Sequence, residues 1–138
     1  MQELIIRGKV IRNTDRGFDK AISNTLFNKR QFDRKPEMMV IPNSVEDIIE
    51  TIKFAKSINK KISICSGGHS WSANHIRNDS ILINMSDFNS YEINKEAMTA
   101  IAGPAVGGSI LLTELFKQNL FFPAGHCKGV CIGGYLLQ

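Results

Sequence analysis

Ile62-Ser63-Ile64-Cys65-Ser66-Gly67-Gly68-His69-Ser70 is the stretch on which the reading of this chain turns. Ile62 to Cys65 is a short run rich in β-branched residues, which predicts a strand. Two glycines, Gly67 and Gly68, follow it after Ser66. They open backbone angles denied to other residues, so successive N–H groups can converge on an anion with no side chain in the way. A pyrophosphate would suit such a loop. The pattern is neither the G-x-G-x-x-G of a Rossmann site nor a P-loop, because no Gly-Lys-Ser/Thr follows. Taken alone, its more ordinary reading is a glycine turn between two elements.

Upstream, Met38-Met39-Val40-Ile41-Pro42 reads as a strand closed by proline. Asn43-Ser44 then offers a helix N-cap, with Glu46 and Asp47 in the first turn. Val45, Ile48, Ile49, Ile52 and Ala55 recur at spacings of three and four, which predicts a buried stripe, with Glu46, Glu50, Lys53 and Lys56 facing water. Ile81 to Met85 reads as a third strand. Strand, helix, strand predicts a right-handed crossover and parallel pairing, which the third strand can join. Nearer the N-terminus, Leu4 to Ile6 is strand-like and Phe18 to Phe27 reads as a helix.

Downstream the pattern changes. Tyr91 to Ile93 and Met98 to Ala102 flank Asn94-Lys95-Glu96-Ala97, which predicts a hairpin and the start of an antiparallel layer. Gly103-Pro104 and Gly107-Gly108-Ser109 precede a helix over roughly 110–118, with Leu111, Leu112, Leu115 and Phe116 inward and Asn119 ending it. The chain closes on the glycine-rich run from Gly125 to Gly134 and then an apolar triplet, an ending that reads as an interruption.

In that closing run the backbone is again stripped of bulk. Cys127 lies between His126 and Lys128, neighbours that favour a thiolate if they point toward it, though a buried, inert cysteine is the plainer alternative. A metal site built from His69, His75, His126, Cys127 and Cys131 is disfavoured, since the cysteines form no C-x-x-C knuckle and no second knuckle completes four ligands.

Composition sets limits on all of this. The chain has 138 residues, 43% hydrophobic and 22% charged, which allows one globular domain. That is small for both a dinucleotide site and a substrate pocket, so an incomplete enzyme is expected. Residues 1–35 hold nine of the seventeen Lys and Arg against four acids, while the remainder holds eight against nine. The basic leader is interrupted by Asp15, Asp19 and Asp33 and carries no aromatic stacking pattern, so nucleic acid is not an expected partner. No apolar run is long enough to span a bilayer and the first residues lack a signal-peptide pattern, so no membrane partner and a cytoplasmic location are expected. Three cysteines argue against a secreted disulfide framework.

Taken together, the motifs are specific. A strand ending in proline, a helix ending near Ala55-Lys56, S-G-G-H-S, a strand with Asn84-Met85-Ser86, and then P-x-G-x-C-x-x-V-x-x-G-G succeed one another over residues 28–138. That succession resembles the FAD-binding PCMH-type domain of the vanillyl-alcohol-oxidase group, most closely its berberine-bridge-enzyme-like branch. The resemblance implies an α+β fold, with a small parallel α/β subdomain followed by a second, mainly antiparallel α+β subdomain that is incomplete at the C-terminus. It divides the chain into a basic segment with a short helix, 1–35, and the N-terminal portion of the flavin domain, 36–138, with the substrate domain absent.

The resemblance also implies roles. His69 and Cys127 would attach FAD covalently, while Ser66, Gly67, Gly68 and Ser70 would surround the pyrophosphate. Gly125, Val130, Gly133 and Gly134 would line the dinucleotide's path, with Met85, Ser86 and Gly103 as weaker candidates. The implied function is the FAD-binding portion of an oxidoreductase acting on an alcohol, sugar or related C–H substrate, with dioxygen as acceptor. The catalytic base would lie outside this chain, which alone would be inactive. The alternative is a non-catalytic, truncated flavin-binding or structural fragment. Two positions depart from the family pattern: Cys65 stands where many relatives have Arg, and Cys131 where many have Gly. The first leaves Lys128 or a more distant group to balance the phosphates.

Overall fold

The computed structural model describes residues 3–137. Its strands are β1 (Lys9–Arg12), β2 (Met38–Ile41), β3 (Lys61–Cys65), β4 (Ser80–Asn84), β5 (Tyr91–Asn94) and β6 (Thr99–Ala102). The helices are α1 (Phe18–Asn24), α2 (Val45–Ser57), α3 (Gly108–Phe116) and α4 (Ile132–Tyr135).

Four strands form one sheet in the order β1-β2-β4-β3. β2, β4 and β3 run parallel, and β1 pairs antiparallel at the edge, Val10 opposite Val40. The third predicted strand therefore lies at the centre, between the two strands that α2 connects. Its residues Ile81, Leu82 and Ile83 are fully buried, as a strand covered on both faces requires. Alternation along β2 and β4 then assigns the faces. Met38, Val40 and Ile81 pack with Phe54 and Ala55 of α2, while Met39, Leu82 and Cys65 pack with Phe18 of α1. Fully burying a side chain such as Phe18 contributes roughly 1.5–3 kcal/mol. The second, smaller layer is the β5–β6 hairpin, with Val106, Leu111, Leu115 and Ile132 as its core. This is the α+β arrangement expected, parallel first and antiparallel second.

Three local expectations change. Leu4 to Ile6 is not a strand. Leu4 is buried in the core, and the N-terminal strand is Lys9–Arg12, where Val10 and Ile11 pack against opposite faces of the sheet. On α2 the buried face is Asp47, Thr51, Phe54 and Ala55, whereas Val45, Ile49 and Ile52 are exposed. The helix is rotated because Asp47 takes an inward position. Its carboxylate accepts the amides of Arg7 (2.9 Å), Gly8 (2.9 Å) and Asn43 (3.0 Å). Burial pushes that carboxyl up, but the three amide donors outweigh it and hold it below the usual carboxylate range. On α3, Leu111 and Leu115 point inward as expected and Phe116 does not, being 59% exposed. Asn119 follows in the left-handed region at φ 59°, and the Leu120 amide bonds back to the Leu115 carbonyl, which ends the helix as a C-cap does.

Candidate flavin site

In an open sheet containing parallel strands, ligands sit beyond the carboxyl ends of the strands, where loops diverge and amides are left unpaired. The Ser66–Ser70 loop leaves β3 at that edge. Among the described residues, the amides of Gly67, His69 and Ser70 donate to no protein group, so their hydrogen-bonding capacity is left for a ligand. Gly68 makes this possible. Its φ of +65° turns the chain, and a Cβ there would come within 2.7 Å of the Thr25 carbonyl carbon and closer still to its oxygen. The Phe27 amide then donates to the Gly68 carbonyl at 3.3 Å.

The second motif is fastened to the hairpin layer. The Gly108 amide bonds to the Val130 carbonyl (2.8 Å), that of Ile132 to Val106 (2.9 Å) and that of Gly133 to Pro104 (2.9 Å). Between Cys127 and Val130 the chain makes a tight turn, closed by the Val130 amide on the Cys127 carbonyl at 3.0 Å. That turn comes to rest on the first motif. Gly129 lies against the edge of the His69 imidazole, so that a Cβ on it would sit 2.9 Å from Cε1 and nearer to Nε2. Cys131 Sγ packs against Gly67 and donates to the Ala105 carbonyl at 3.3 Å.

Between the motifs is a cleft of about 550 Å³, within the range of small-molecule sites. All ten expected positions line it: Ser66, Gly67, Gly68, His69, Ser70, Gly125, Cys127, Val130, Gly133 and Gly134. Met85, Ser86 and Gly103 do not. Ser86 instead lines a neighbouring hollow that also touches Ser66. Glycine walls, unpaired amides and two nucleophilic side chains suit a flat, anionic cofactor such as a flavin dinucleotide. Among the described residues no group of three or more His, Cys, Asp and Glu is placed to hold a metal ion, and no helix is long and apolar enough to cross a membrane.

The departures also have places. Cys65 is buried, its Sγ 3.9 Å from the Thr25 carbonyl, and desolvation pushes the thiol up to about 11. Cys131 is half-buried and also raised by burial, while Cys127 is exposed. Lys128 does not reach the cleft lining. One lining residue that the motifs do not mark is His75, buried, with Nε2 3.0 Å from Thr25 Oγ1. The Thr25 hydroxyl donates to the Ile22 carbonyl at 2.7 Å, so it accepts from His75, which fixes the Nε2–H tautomer. Burial first, and then Arg34, lowers the pKa of this imidazole.

Comparison with known proteins identifies the family. The family model described as FAD binding domain matches residues 36–138. The FAD-linked oxidoreductase nodO of Hypoxylon pulicicidum is 40% identical over 113 residues, 82% of this chain and 25% of that protein. Reticuline oxidase of Eschscholzia californica is 30% identical over 84% of this chain and 22% of its own length. Among solved structures, 6-hydroxy-D-nicotine oxidase from Arthrobacter nicotinovorans superposes with a TM-score of 0.82 at 27% identity, covering 94% of this chain and 28% of that one. The chain belongs to the FAD-binding domain family, in its PCMH-type, berberine-bridge-enzyme-like group. It spans about a quarter of the length of the curated relatives it matches.

Proposed function

We propose that this chain is the flavin-holding part of an FAD-dependent oxidase acting, in the complete protein, on an alcohol, sugar or related C–H substrate, with dioxygen as acceptor. The observation that carries the proposal is the meeting of two motifs about sixty residues apart in one cleft, with the Cys127 turn resting on the His69 ring. Bound FAD would supply the two-electron acceptor. Amides of the Ser66–Ser70 loop would hold its phosphates, and the bare backbone at Gly125, Gly133 and Gly134 would admit its flat ring.

His69 and Cys127 would each form a covalent bond to the flavin. An imidazole nitrogen and a thiolate are nucleophiles toward an electron-poor ring system. Each new N–C or S–C bond replaces one N–H or S–H and one C–H, and the two protons and two electrons released pass to dioxygen as hydrogen peroxide. The test is to incubate the chain with FAD in air and precipitate it with acid. Flavin fluorescence should persist in the denatured band, survive in each single variant, His69→Ala or Cys127→Ala, where one bond remains, and vanish in the double variant. A wild-type band without fluorescence rejects covalent attachment, and a chain that takes up no FAD rejects the flavin reading entirely.

A further inference from the structure

We propose that Phe27, which precedes the matched domain, is a positioning residue that fixes the plane of the His69 imidazole for bond formation with FAD; this rests on the covalent reading above. The two rings stack at 4.7 Å between centroids and 10° between planes. Trp71 meets the Phe27 ring edge-on at 5.2 Å and 84°, so the stacking ring is itself held from the side. Gly129 bounds the imidazole edge. A histidine on a glycine loop would otherwise turn about both of its side-chain torsions, and this stack, with Gly129 at the edge, selects one orientation.

The backbone keeps Phe27 in register with the loop. Its amide donates to the Gly68 carbonyl at 3.3 Å, and the Thr25 carbonyl occupies the space beside Gly68 that any Cβ would need. Phe27 contributes little to the core, since it is 37% exposed and Trp71 is 72% exposed. A ring kept at the surface against one imidazole is poorly explained by burial. It is well explained by a requirement that the imidazole not rotate, because misplacing a reacting atom by about 1 Å can slow bond formation roughly a hundredfold.

The test compares the chain with its Phe27→Leu and Phe27→Tyr variants. Each is incubated with FAD, quenched over time and digested, and bond formation at His69 and at Cys127 is quantified from the two singly flavinylated peptides and the flavin-cross-linked pair. Loss of the stack should slow attachment at His69 about five- to tenfold in the Leu variant, leave Cys127 within about twofold, and be restored in the Tyr variant. A purely structural role would depress both peptides together. A flavin-free readout accompanies it: the ring protons of His69 should lose their upfield NMR shift in the Leu variant and keep it in the Tyr variant. Equal rates at His69 in wild type and Leu variant, or parallel loss at both peptides, overturns the proposal for Phe27 alone. No acid-stable flavin on wild type overturns the covalent reading, and this proposal with it.

Discussion

Replacing Gly68 by alanine should be among the most damaging single-methyl additions in the protein, and its cost can be worked from the geometry. At φ +65° an L-residue costs about 1–2 kcal/mol relative to glycine. The new Cβ would then lie 2.7 Å from the Thr25 carbonyl carbon, inside contact distance of rigid backbone rather than a movable side chain. Relieving that overlap adds about 1–3 kcal/mol. Separating the Thr25 turn from the loop also weakens the Phe27–Gly68 hydrogen bond, worth about 1 kcal/mol. The sum is about 3–6 kcal/mol. With an unfolding entropy of about 2.1 cal/mol/K per residue, a chain of 138 residues loses about 3.5 °C of Tm per kcal/mol, so Tm should fall by roughly 10–21 °C. Differential scanning calorimetry of wild type, Gly68→Ala and Gly134→Ala decides it. Gly134 has nothing within 4 Å of its missing Cβ, so its substitution should leave Tm within about 2 °C. A Gly68→Ala protein melting within 3 °C of wild type, by calorimetry, would refute the claim that the loop is locked onto the end of α1.

Gly129→Ala should act on the site and spare the fold. Its methyl would push the His69 edge by about 1 Å, slowing flavin attachment at His69 by up to a hundredfold with Tm nearly unchanged, and unimpaired attachment would contradict the packing described. Thiol labelling at pH 8 should find Cys127 first, Cys131 more slowly and Cys65 only on unfolding, since burial raises the latter two. Early modification of Cys65 would be inconsistent with its place under α1. Asp47 is held below its ordinary 3.8, so its stabilising effect is complete above that value and is lost as pH falls through the lower, folded one. Asp47→Asn should cost about 2 kcal/mol at neutral pH and flatten the acid limb of a Tm-against-pH curve. An unchanged acid limb would exclude the three-amide anchor. FAD affinity should vary less than about threefold between 50 and 500 mM salt, and Lys128→Ala should leave it unchanged. A tenfold loss in either titration would reveal a cation at the phosphates.

Much of the fold was legible because short-range chemistry settles it. The Ser44 cap, the β-branched runs of β3 and β4 and the left-handed Asn119 are each decided within a few residues, and the structure keeps them. What escaped was decided at long range. The apolar spacing of α2 pointed to Val45, Ile49 and Ile52, yet the helix turns Asp47 inward because its partners are amides about forty residues upstream. No periodicity within the helix carries that information. β1 was missed for the same reason: Lys9-Val10-Ile11-Arg12 is a strand by virtue of its pairing with β2. At the candidate site the glycines and the two nucleophiles were readable from their motifs, whereas His75 and Phe27 were not. His75 is defined by the Thr25 hydroxyl, fifty positions away, and Phe27 by the ring it lies against.

The absence of Arg at position 65 bears on how the cleft can tolerate an anion. An arginine there would have to leave the core, because β3 ends with this side chain inside the layer between the sheet and α1. A thiol fits instead, and it brings no cation to the loop proposed to hold the phosphates. No Lys or Arg appears among the described residues lining the cleft. Within this chain, backbone N–H groups can supply positive potential, and the Gly67, His69 and Ser70 amides left without protein partners are such a source. Amides cannot be neutralised by pH and need no ordering of long side chains, but they act only at contact distance. A loop that relies on them has to be held rigidly. The Thr25 carbonyl against Gly68, the Phe27 amide on its carbonyl and Cys131 against Gly67 supply that rigidity from three sides. The first two contacts come from residues before position 36, so the basic leader braces the loop while none of its own residues lines the cleft.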